Sequence, residues 1–563
     1  MQSGQSRCQS PARDHGSRPY RRHVLWLSLL IALSTVGCDA SGGNATLEQP
    51  DPQLGTVDFP ISCSAEAQRL FNRGIALLHH MTYPQARTVF EQVSATDPAC
   101  AMAHWGIAMT LFQPLWPTRP QLPERRRGWE EVQRARALQP PTEREGLFVS
   151  AAEAFFRDPE ATDYWARIRR WERASGEVHD AFPDDAEAAV FFALAQLATA
   201  PSDTVSLEHA QRAAELLLAV YERSPGHPGM MHYLVHANDA PGREHERLEI
   251  IRQYETVAPR NPHALHMPTH IYTRLGDWGE VIRGNLQAAD AALETPAGSN
   301  GEFVWDEYPH ALEYLVYAYL QQGADNDAVT MMERLRTTAR LEPTFKTAFH
   351  TASVQARYAL ERHAWSEAAV LVPREPADLD WDRFLWPEAI IWFARGLGAA
   401  HQAEVEAAGR AIERLEELET AAAGTGEVLF ERNIRILRLG ARAWLEHATG
   451  NETASVELLQ EAADLEESTP KHAVTPAPTL PSFELLGDLH LEQKRMPEAL
   501  AAYQRSLELY PRRFNSLIGA ARAARSVGDE ALARQFYGEV LDIGAGGTRQ
   551  RELAEAQAFL SRS

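Results

Sequence analysis

Small and aromatic residues recur at fixed positions between polar stretches along most of the chain. In the first such unit, FNRGIALLHHMTYPQARTVFEQVSATDP, these residues are Gly74, Ala86, Phe90 and Pro98. Small residues let two helices cross closely, an aromatic ring fills the groove between them, and proline ends the second helix. The pattern therefore predicts a hairpin of two helices.

The same spacing returns near the carboxyl end of the chain. It is carried there by Leu486, Gly487, His490, Ala499, Tyr503 and Pro511, and 34 residues later by Ala520, Ala521, Ala533 and Tyr537. The turn between two helices recurs at residues 275–281, 320–328, 360–368 and 447–454. A 34-residue period is typical of the tetratricopeptide repeat, and residues 61–550 resemble that family. Strand signals are absent, so we expect an all-α solenoid, which the resemblance makes a right-handed superhelix of about ten or more helix hairpins.

Four segments rich in proline or glycine interrupt the repeats. They are residues 114–123, 294–302, 373–386 and 469–481. The last segment predicts a hinge between a main array, residues 61–468, and carboxyl-terminal repeats, residues 482–550. Trp116, Trp381 and Trp386 lie in these loops, where they are interpreted either as lids over a binding face or as aromatic plugs for helix ends.

The amino terminus has the pattern of a signal peptide, residues 1–37. A basic stretch precedes the apolar run VLWLSLLIAL, which is too short to span a membrane comfortably. Gly37-Cys38 resembles the end of a bacterial lipoprotein cleavage box, which implies a lipidated Cys38; a plain secretory signal is the alternative. Residues 38–60 predict a flexible linker. We therefore expect an exported protein of the bacterial cell envelope, anchored by lipid to the periplasmic face of a membrane.

Cysteine content and charge narrow the picture further. Cys63 and Cys100 are the two cysteines of the body and flank the first hairpin. Export favours a disulfide between them, and two buried free thiols are the alternative. The formal net charge is −22, with no basic run after residue 38, which argues against nucleic acid as a partner.

Two histidine pairs occupy the middle of the chain. His232 and His236 are four residues apart, as are His266 and His270, so each pair projects from one face of a helix. The pairs are offset by 34 residues, which places four imidazoles on equivalent helices of consecutive repeats. Asp239 and His310 fall near them in the repeat pattern and are candidate additional ligands.

Imidazole is a common ligand of zinc, copper, iron and nickel. Helix axes about 8–10 Å apart bring such pairs close enough to converge on one ion. The histidines are therefore candidate ligands of a transition metal ion, with zinc, copper or iron as the metals considered. The glutamate of H-E-x-x-H is missing, and no nucleophile motif is visible. Histidines that contact a ligand without metal, and histidines that serve packing alone, are the two other interpretations.

The repeat phase also places residues on the concave face of the solenoid. These candidate groove residues are His79, Trp105, His227, His263, Glu313 and Tyr317. The segment HMPTHIY, residues 266–272, resembles a group of exported bacterial tetratricopeptide proteins without an established activity. The first hypothesis is a membrane-tethered protein that binds a protein or peptide partner, or a small ligand, in its concave groove. The alternative is a metalloprotein, either a metal-dependent hydrolase or an oxidase, built around the central histidines.

Overall fold

The computed structural model describes residues 53–116, 118–200, 206–298 and 301–562, and helices dominate it. In the amino-terminal part the helices are α1 (Ala65–His79), α2 (Tyr83–Thr96), α3 (Ala101–Met109), α4 (Leu122–Ala137), α5 (Glu143–Phe156), α6 (Tyr164–Ala181), α7 (Ala186–Thr199), α8 (Ser206–Tyr221) and α9 (Pro228–Asn238). The middle part contains α10 (Leu248–Ile251), α11 (Tyr254–Val257), α12 (Pro262–His266), α13 (Pro268–Leu275), α14 (Trp278–Leu293), α15 (Glu307–Gln321), α16 (Asp325–Thr337), α17 (Phe345–Leu360) and α18 (Trp365–Ala369).

A short 3-10 helix, Trp381–Arg383, follows α18, and the remaining α-helices complete the array. They are α19 (Leu385–His401), α20 (Val405–Thr425), α21 (Val428–Ala448), α22 (Glu452–Glu467), α23 (Ser482–Glu492), α24 (Met496–Leu509), α25 (Phe514–Val527), α26 (Glu530–Ile543) and α27 (Gln550–Leu560). Two short antiparallel strands, β1 (Pro296–Ala297) and β2 (Phe303–Val304), are the only strands within the described residues. Sequential helices pack against each other along the chain, and the predicted all-α, tetratricopeptide-type solenoid is confirmed.

Close contacts between small and aromatic residues explain why the hairpins form. A Cβ atom at Gly106 would lie 2.4 Å from the ring of Phe90. Near the other end, a Cβ atom at Gly519 would lie 2.3 Å from the ring of Tyr503. Each aromatic ring thus occupies the volume that a side chain on the next helix would need. These contacts are the physical origin of the repeat pattern in the sequence.

The carboxyl-terminal hairpins fold back onto the middle of the array. Arg513 forms buried ion pairs with Glu361 and Glu484, at 2.9 and 2.8 Å. The indole nitrogen of Trp278 donates to the backbone oxygen of Arg512 at 3.0 Å. Helix α15 is buried on almost every side. The open concave groove expected from the sequence is therefore covered, around the central helices, by the chain itself.

The segment expected to be a hinge, residues 469–481, is instead packed inside the molecule. Arg357 donates to the backbone oxygen of Pro478 at 2.8 Å and to the hydroxyl of Thr475 at 3.0 Å. Lys471 forms an ion pair with Asp239 at 2.8 Å. Prolines exclude a helix here, but the anchored backbone and buried side chains exclude a flexible connection as well. The sequence showed that prolines prevent a helix here, but it did not show that the segment is packed inside the molecule.

The linker also ends earlier than the predicted boundary at residue 60. Phe59 is fully buried against Phe71 and Phe148. The backbone N–H of Thr56 donates to the oxygen of Gly226 at 3.0 Å. Burial of apolar side chains attaches residues 54–60 to the solenoid. The signal peptide, Cys38 and the rest of the linker lie outside the described residues.

The first hairpin carries a covalent link. Cys63 and Cys100 form a disulfide across a separation of 37 residues. It joins the segment that precedes α1 to the amino end of α3. Within the described ranges, no helix is both long and apolar enough to cross a membrane.

Candidate metal centre

Four successive inner segments of the solenoid bring a cluster of histidines together. Helix α9 carries His232 and His236. The next inner helix is interrupted at Met267, because Pro268 lacks a backbone N–H; it carries His263, His266 and His270. Helix α15 contributes His310 and α17 contributes His350. Apart from His236, these side chains are at most 2% exposed.

Three of these residues, His232, His236 and His263, form the first triad. The Nε2 atom of His232 lies 2.9 Å from that of His263 and 3.2 Å from that of His236. All three ligand atoms lie within 4.8 Å of one another. Two imidazole nitrogens on one tetrahedral zinc ion stand ~3.3 Å apart, given Zn–N distances of about 2.0–2.1 Å. The first triad could therefore hold a metal ion with little adjustment.

His266, His270 and His310 form the second triad. The Nε2 atoms of His266 and His270 are 2.9 Å apart, and the ring of His310 is 4.2 Å from that of His266, centroid to centroid. The Nε2 atom of His310 is buried and has no hydrogen-bond partner among the described residues. The two triads are neighbours, because the ring centroids of His236 and His270 are 6.1 Å apart.

Hydrogen bonds behind the second triad fix the protons of His266 and His270. The amide nitrogen of Asn285 donates to the backbone oxygen of Val281 at 2.8 Å, so its oxygen faces the Nδ1 atom of His266 at 2.7 Å. That oxygen can only accept, and the proton of His266 therefore lies on Nδ1. The Nδ1 atom of His270 faces a carboxylate oxygen of Asp239 at 2.9 Å, which requires a proton there too. Both Nε2 atoms are then bare in the neutral rings.

A relay fixes the proton of His310 in the same way. The carboxylate of Glu313 accepts from the Nδ1 atom of His350, which leaves the Nε2 atom of His350 as an acceptor. This atom lies 3.0 Å from the Nδ1 atom of His310. His310 therefore carries its proton on Nδ1 and presents a bare Nε2 to the second triad. Such orienting partners behind metal-binding histidines are the rule in metalloproteins.

Burial keeps the second triad neutral. It lowers the pKa of His270 to about 4 and the pKa values of His266 and His310 well below their usual range; neighbouring imidazoles lower the latter two further. At pH 7 three lone pairs thus converge, and the donor that the described residues place beside them is the hydroxyl of Tyr314, 3.4 Å from the Nε2 atom of His270. Unpartnered buried acceptors are costly, and a bound cation satisfies all three at once.

Two members of the first triad, His232 and His263, are oriented from behind in the same way. The Nδ1 atom of His232 lies 2.6 Å from the backbone oxygen of His79, and that of His263 lies 3.1 Å from a carboxylate oxygen of Glu307. Burial lowers the pKa of His232 and of His236 well below the usual range. No hydrogen bond holds the proton of His236 on Nδ1 among the described residues, so this proton can lie on Nε2 and be donated to His232 at 3.2 Å. It satisfies only one of the two close contacts made by His232. A metal ion could satisfy both.

A third group, His79, Glu187 and His227, shows what purely structural histidines look like here. The Nδ1 atom of His227 accepts from the backbone N–H of Met230 at 3.2 Å, so its Nε2–H donates to Glu187 at 3.0 Å. The Nε2 atom of His79 lies 2.9 Å from the other carboxylate oxygen. Each proton has an acceptor, and no bare nitrogens converge. We interpret this group as a hydrogen-bonded brace, although its spacing also suits a metal ion.

The five histidines predicted as metal ligands are divided between the two triads. The predicted ligand Asp239 is a positioning group instead, since it accepts from His270 and pairs with Lys471 and Arg274 at 2.8 and 2.5 Å. Its oxygens are occupied by these three partners, which explains the difference. His263, predicted as a groove residue, belongs to the first triad.

The other predicted groove residues are enclosed. Trp105 is 1% exposed and packs against Phe59 and Phe191, so it belongs to the amino-terminal core. Tyr317 is buried, and its hydroxyl accepts from Arg513 at 3.1 Å. His79 and His227 form the brace, and Glu313 orients His350. The repeat phase placed these side chains on inner faces, but those faces pack against other parts of the chain.

Sequence reasoning missed the residues behind the triads. His350 follows His310 by 40 residues rather than 34, because the loops between α15 and α17 shift the repeat phase. Asn285 and Glu307 carry no periodic signal that distinguishes them from surface polar residues. The only available clue was a histidine, His350, on the next inner helix after that of His310.

A cavity of about 350 Å³ adjoins the first triad, and His236, Asp239 and Lys471 are among its lining residues. A wider cleft of about 1560 Å³ shares Arg119, Trp165 and Phe430 with it and leads outward. Trp116, which precedes α4, lies over one histidine of each triad. Its ring lies 5.4 Å from that of His263 and 6.1 Å from that of His310, centroid to centroid. Of the two interpretations of this tryptophan, the lid fits its position.

Known proteins add little to this description. No protein family and no curated protein matches the chain. A chain in the crystal structure of the APC/C hetero-tetramer Cut9–Hcn1 shares 15% sequence identity with this protein. The alignment covers 88% of this chain and 90% of that chain, with a TM-score of 0.29. The yeast Tom70 structure is 10% identical, with 88% and 95% covered and a TM-score of 0.27. Fold and site define an all-α repeat solenoid whose interior holds two histidine triads able to accept metal.

Proposed function

We propose that the protein is a metalloprotein that binds two transition metal ions, one in each triad. The observation that carries this proposal is the pair of bare Nε2 atoms of His266 and His270, 2.9 Å apart in a buried site. Their tautomers are set from behind by Asn285 and Asp239. Neutral rings with that arrangement repel each other unless a cation lies between them.

The donor set narrows the class of metal. Six imidazoles and no free carboxylate suit zinc, copper or iron and disfavour magnesium and calcium. Three protein nitrogens leave a coordination position open, as in catalytic zinc sites. An ion with an open position can activate water or bind an oxidant. Metal-dependent hydrolysis or oxidation is therefore the chemistry we propose, with the bound metal deciding between them.

Elemental analysis of the full chain, purified without a histidine tag, tests the proposal. We expect about two ions per chain from the two triads. Removing the first triad with His232→Ala/His236→Ala, or the second with His266→Ala/His270→Ala, should leave one. The matched control is His79→Gln/His227→Gln, which changes two equally buried histidines of the brace and should retain two ions. Circular dichroism confirms that each variant is folded.

The result that overturns the proposal is equally simple. A folded parent protein that takes up no metal after exposure to zinc, copper and ferrous iron has no metal site. The control variant provides a second test. If the brace variant also loses metal, the tautomers do not distinguish the triads from the brace, and the assignment of the metal to the triads is wrong.

Ligand binding is the second candidate function, and the wide cleft favours it. Its volume of about 1560 Å³ suffices for a peptide segment of a protein partner. Mixed charges line it, including Arg125, Asp163 and Arg432. Pull-down of a partner that is lost in an Arg125→Glu/Arg432→Glu variant, with metal content unchanged, supports this function; a partner that persists contradicts it.

The location of the protein is a further part of the proposal. The pattern of residues 1–38 supports export and a lipid anchor on Cys38, and the disulfide between Cys63 and Cys100 suits an oxidising compartment. Labelling of the protein in a bacterial host with radioactive palmitate tests it. We expect label in the parent and none in Cys38→Ala; an unlabelled, secreted parent supports the plain signal peptide instead.

A further inference from the structure

The cavity beside the first triad has the size of a small-molecule site. Its volume of about 350 Å³ lies at the lower end of the range of about 300–1,000 Å³ typical of such sites. His236 is the one triad member that lines it and the one that is not fully buried. The second triad contributes no lining residue. Access from the cleft therefore reaches only the metal position of the first triad.

Each charged group in the cavity wall already has an ionic or hydrogen-bond partner. Arg119 binds Glu427 at 2.8 Å, and Lys471 and Arg274 both bind Asp239. Glu466 accepts from the hydroxyl of Ser482 at 2.9 Å and from that of Tyr510 at 3.3 Å, and Glu467 pairs with Arg505. An ionic ligand would have to compete for one of these groups or stay unpaired in a buried site, which is costly.

The rest of the wall is apolar and aromatic. It includes Leu115, Trp165, Leu197 and Phe430. His472 also lines the cavity; its Nδ1 atom accepts from the backbone N–H of Val474 at 3.0 Å, so its proton lies on Nε2. Burial lowers the pKa of His472 to about 3, and the ring offers a neutral donor rather than a cation. Flat, uncharged molecules match this wall best.

We infer that the first triad is the reactive centre and that it takes a neutral, planar small molecule whose nitrogen, oxygen or sulfur atom coordinates the metal through this cavity. The second triad is enclosed and closed to such ligands. This inference rests on the proposed function, because a coordinating ligand needs a bound metal. It adds the class of ligand to the proposed function, and it assigns ligand binding to the first triad alone.

Isonicotinamide and isonicotinate form a matched pair of probes. Both have a pyridine nitrogen opposite the substituent and nearly the same shape, but isonicotinate carries a negative charge at pH 7. The cobalt(II)-loaded full-length protein is titrated with each, and the visible absorption of cobalt reports coordination. We expect isonicotinamide to bind at least about tenfold more tightly, which corresponds to about 1.4 kcal/mol.

Two variants test the route. Ala473→Trp fills the cavity from a partly exposed loop position and should abolish the spectral change while two cobalt ions remain bound. Leu207→Lys places a cation in the cavity wall at a side chain that is 55% exposed, so folding should be unaffected. It should raise the relative affinity for isonicotinate. Val527→Lys, which changes another exposed aliphatic residue, 42% exposed and outside the cavity lining, is the matched control.

The outcomes separate the two proposals. Two bound cobalt ions without a response to isonicotinamide, or equal affinity for both probes, overturn this inference and leave the metal centre standing. A response that survives Ala473→Trp also overturns it. A folded protein that binds no cobalt and none of the natural metals overturns the proposed function and this inference together.

Discussion

Asn285 is the residue through which the geometry of the second triad is tested most directly. Its amide is fully buried and makes three hydrogen bonds, to His266, Thr269 and Val281. Leucine has nearly the same shape but cannot accept the Nδ1 proton of His266. Asn285→Leu therefore frees the ring to rotate or change its tautomer without removing any metal ligand.

The expected effect has two parts. Loss of a hydrogen-bond partner behind a metal ligand typically lowers metal affinity by about 10–100-fold, or about 1.4–2.7 kcal/mol. The unpaired Nδ1–H of His266 and the other lost bonds lower the free energy of unfolding by about 2–4 kcal/mol in addition. The first triad makes no contact with Asn285 and should keep its affinity.

Competition against a chromophoric chelator measures the affinity of the second triad in a His232→Ala/His236→Ala background. The control is Asn515→Leu, which removes a buried amide bonded to the backbone oxygen of Glu361, a residue outside the triads. It should lower stability without changing metal affinity. Unchanged affinity in Asn285→Leu, or an equal loss in the Asn515 control, refutes the assignment of Asn285 as an orienting group.

Three further predictions concern pH, access and the disulfide. In the metal-free protein the pKa of His270 is about 4 against about 6.5 when unfolded, so the unfolded state binds more protons between these values. Urea unfolding should therefore show full stability above pH 6.5 and a loss of about 3 kcal/mol from this residue as pH falls towards 4; a flat profile contradicts the buried neutral ring. Trp116→Leu should speed metal removal by a chelator at unchanged metal content, because the ring covers His263 and His310, and an unchanged rate excludes the lid. Replacing Cys63 and Cys100 by serine should lower the free energy of unfolding by about 2–4 kcal/mol, and equal stability of both forms contradicts a structural role for the bond.

The fold could be predicted because its cause is local. Phe90 and Tyr503 need small partners at fixed distances along the chain, and those partners are visible in the sequence. Closure of the solenoid could not be predicted in this way. The ion pair of Arg513 with Glu361 joins residues 152 positions apart, and the ion pair of Lys471 with Asp239 also joins distant parts of the chain. Nothing in the local spacing of these residues indicates that they meet. Contacts between distant residues therefore explain why the structure has neither the expected open groove nor the expected hinge.

The site was predictable to the extent that it follows the repeat. The spacing of four within each pair and 34 between pairs selected four of the six triad members. The remaining two, His263 and His310, lie near the starts of inner segments. His263 completes the triad of His232 and His236, and His310 completes the triad of His266 and His270. The sequence pattern suggested a single ion bound by four histidines. Two triads form instead, because the next inner helix supplies the third ligand in each case.

This arrangement also bears on the simplest alternative, that duplication of a repeat copied one packing histidine. A copied packing residue needs a hydrogen-bond acceptor for its proton and nothing more, as His79 and His227 show against Glu187. His266 and His270 have such acceptors on their outer sides, in Asn285 and Asp239. Their inner nitrogens nevertheless face each other at 2.9 Å, closer than the Tyr314 hydroxyl, which lies 3.4 Å from the Nε2 atom of His270. Packing alone gives no reason to turn two lone pairs inward, whereas coordination of a cation requires it.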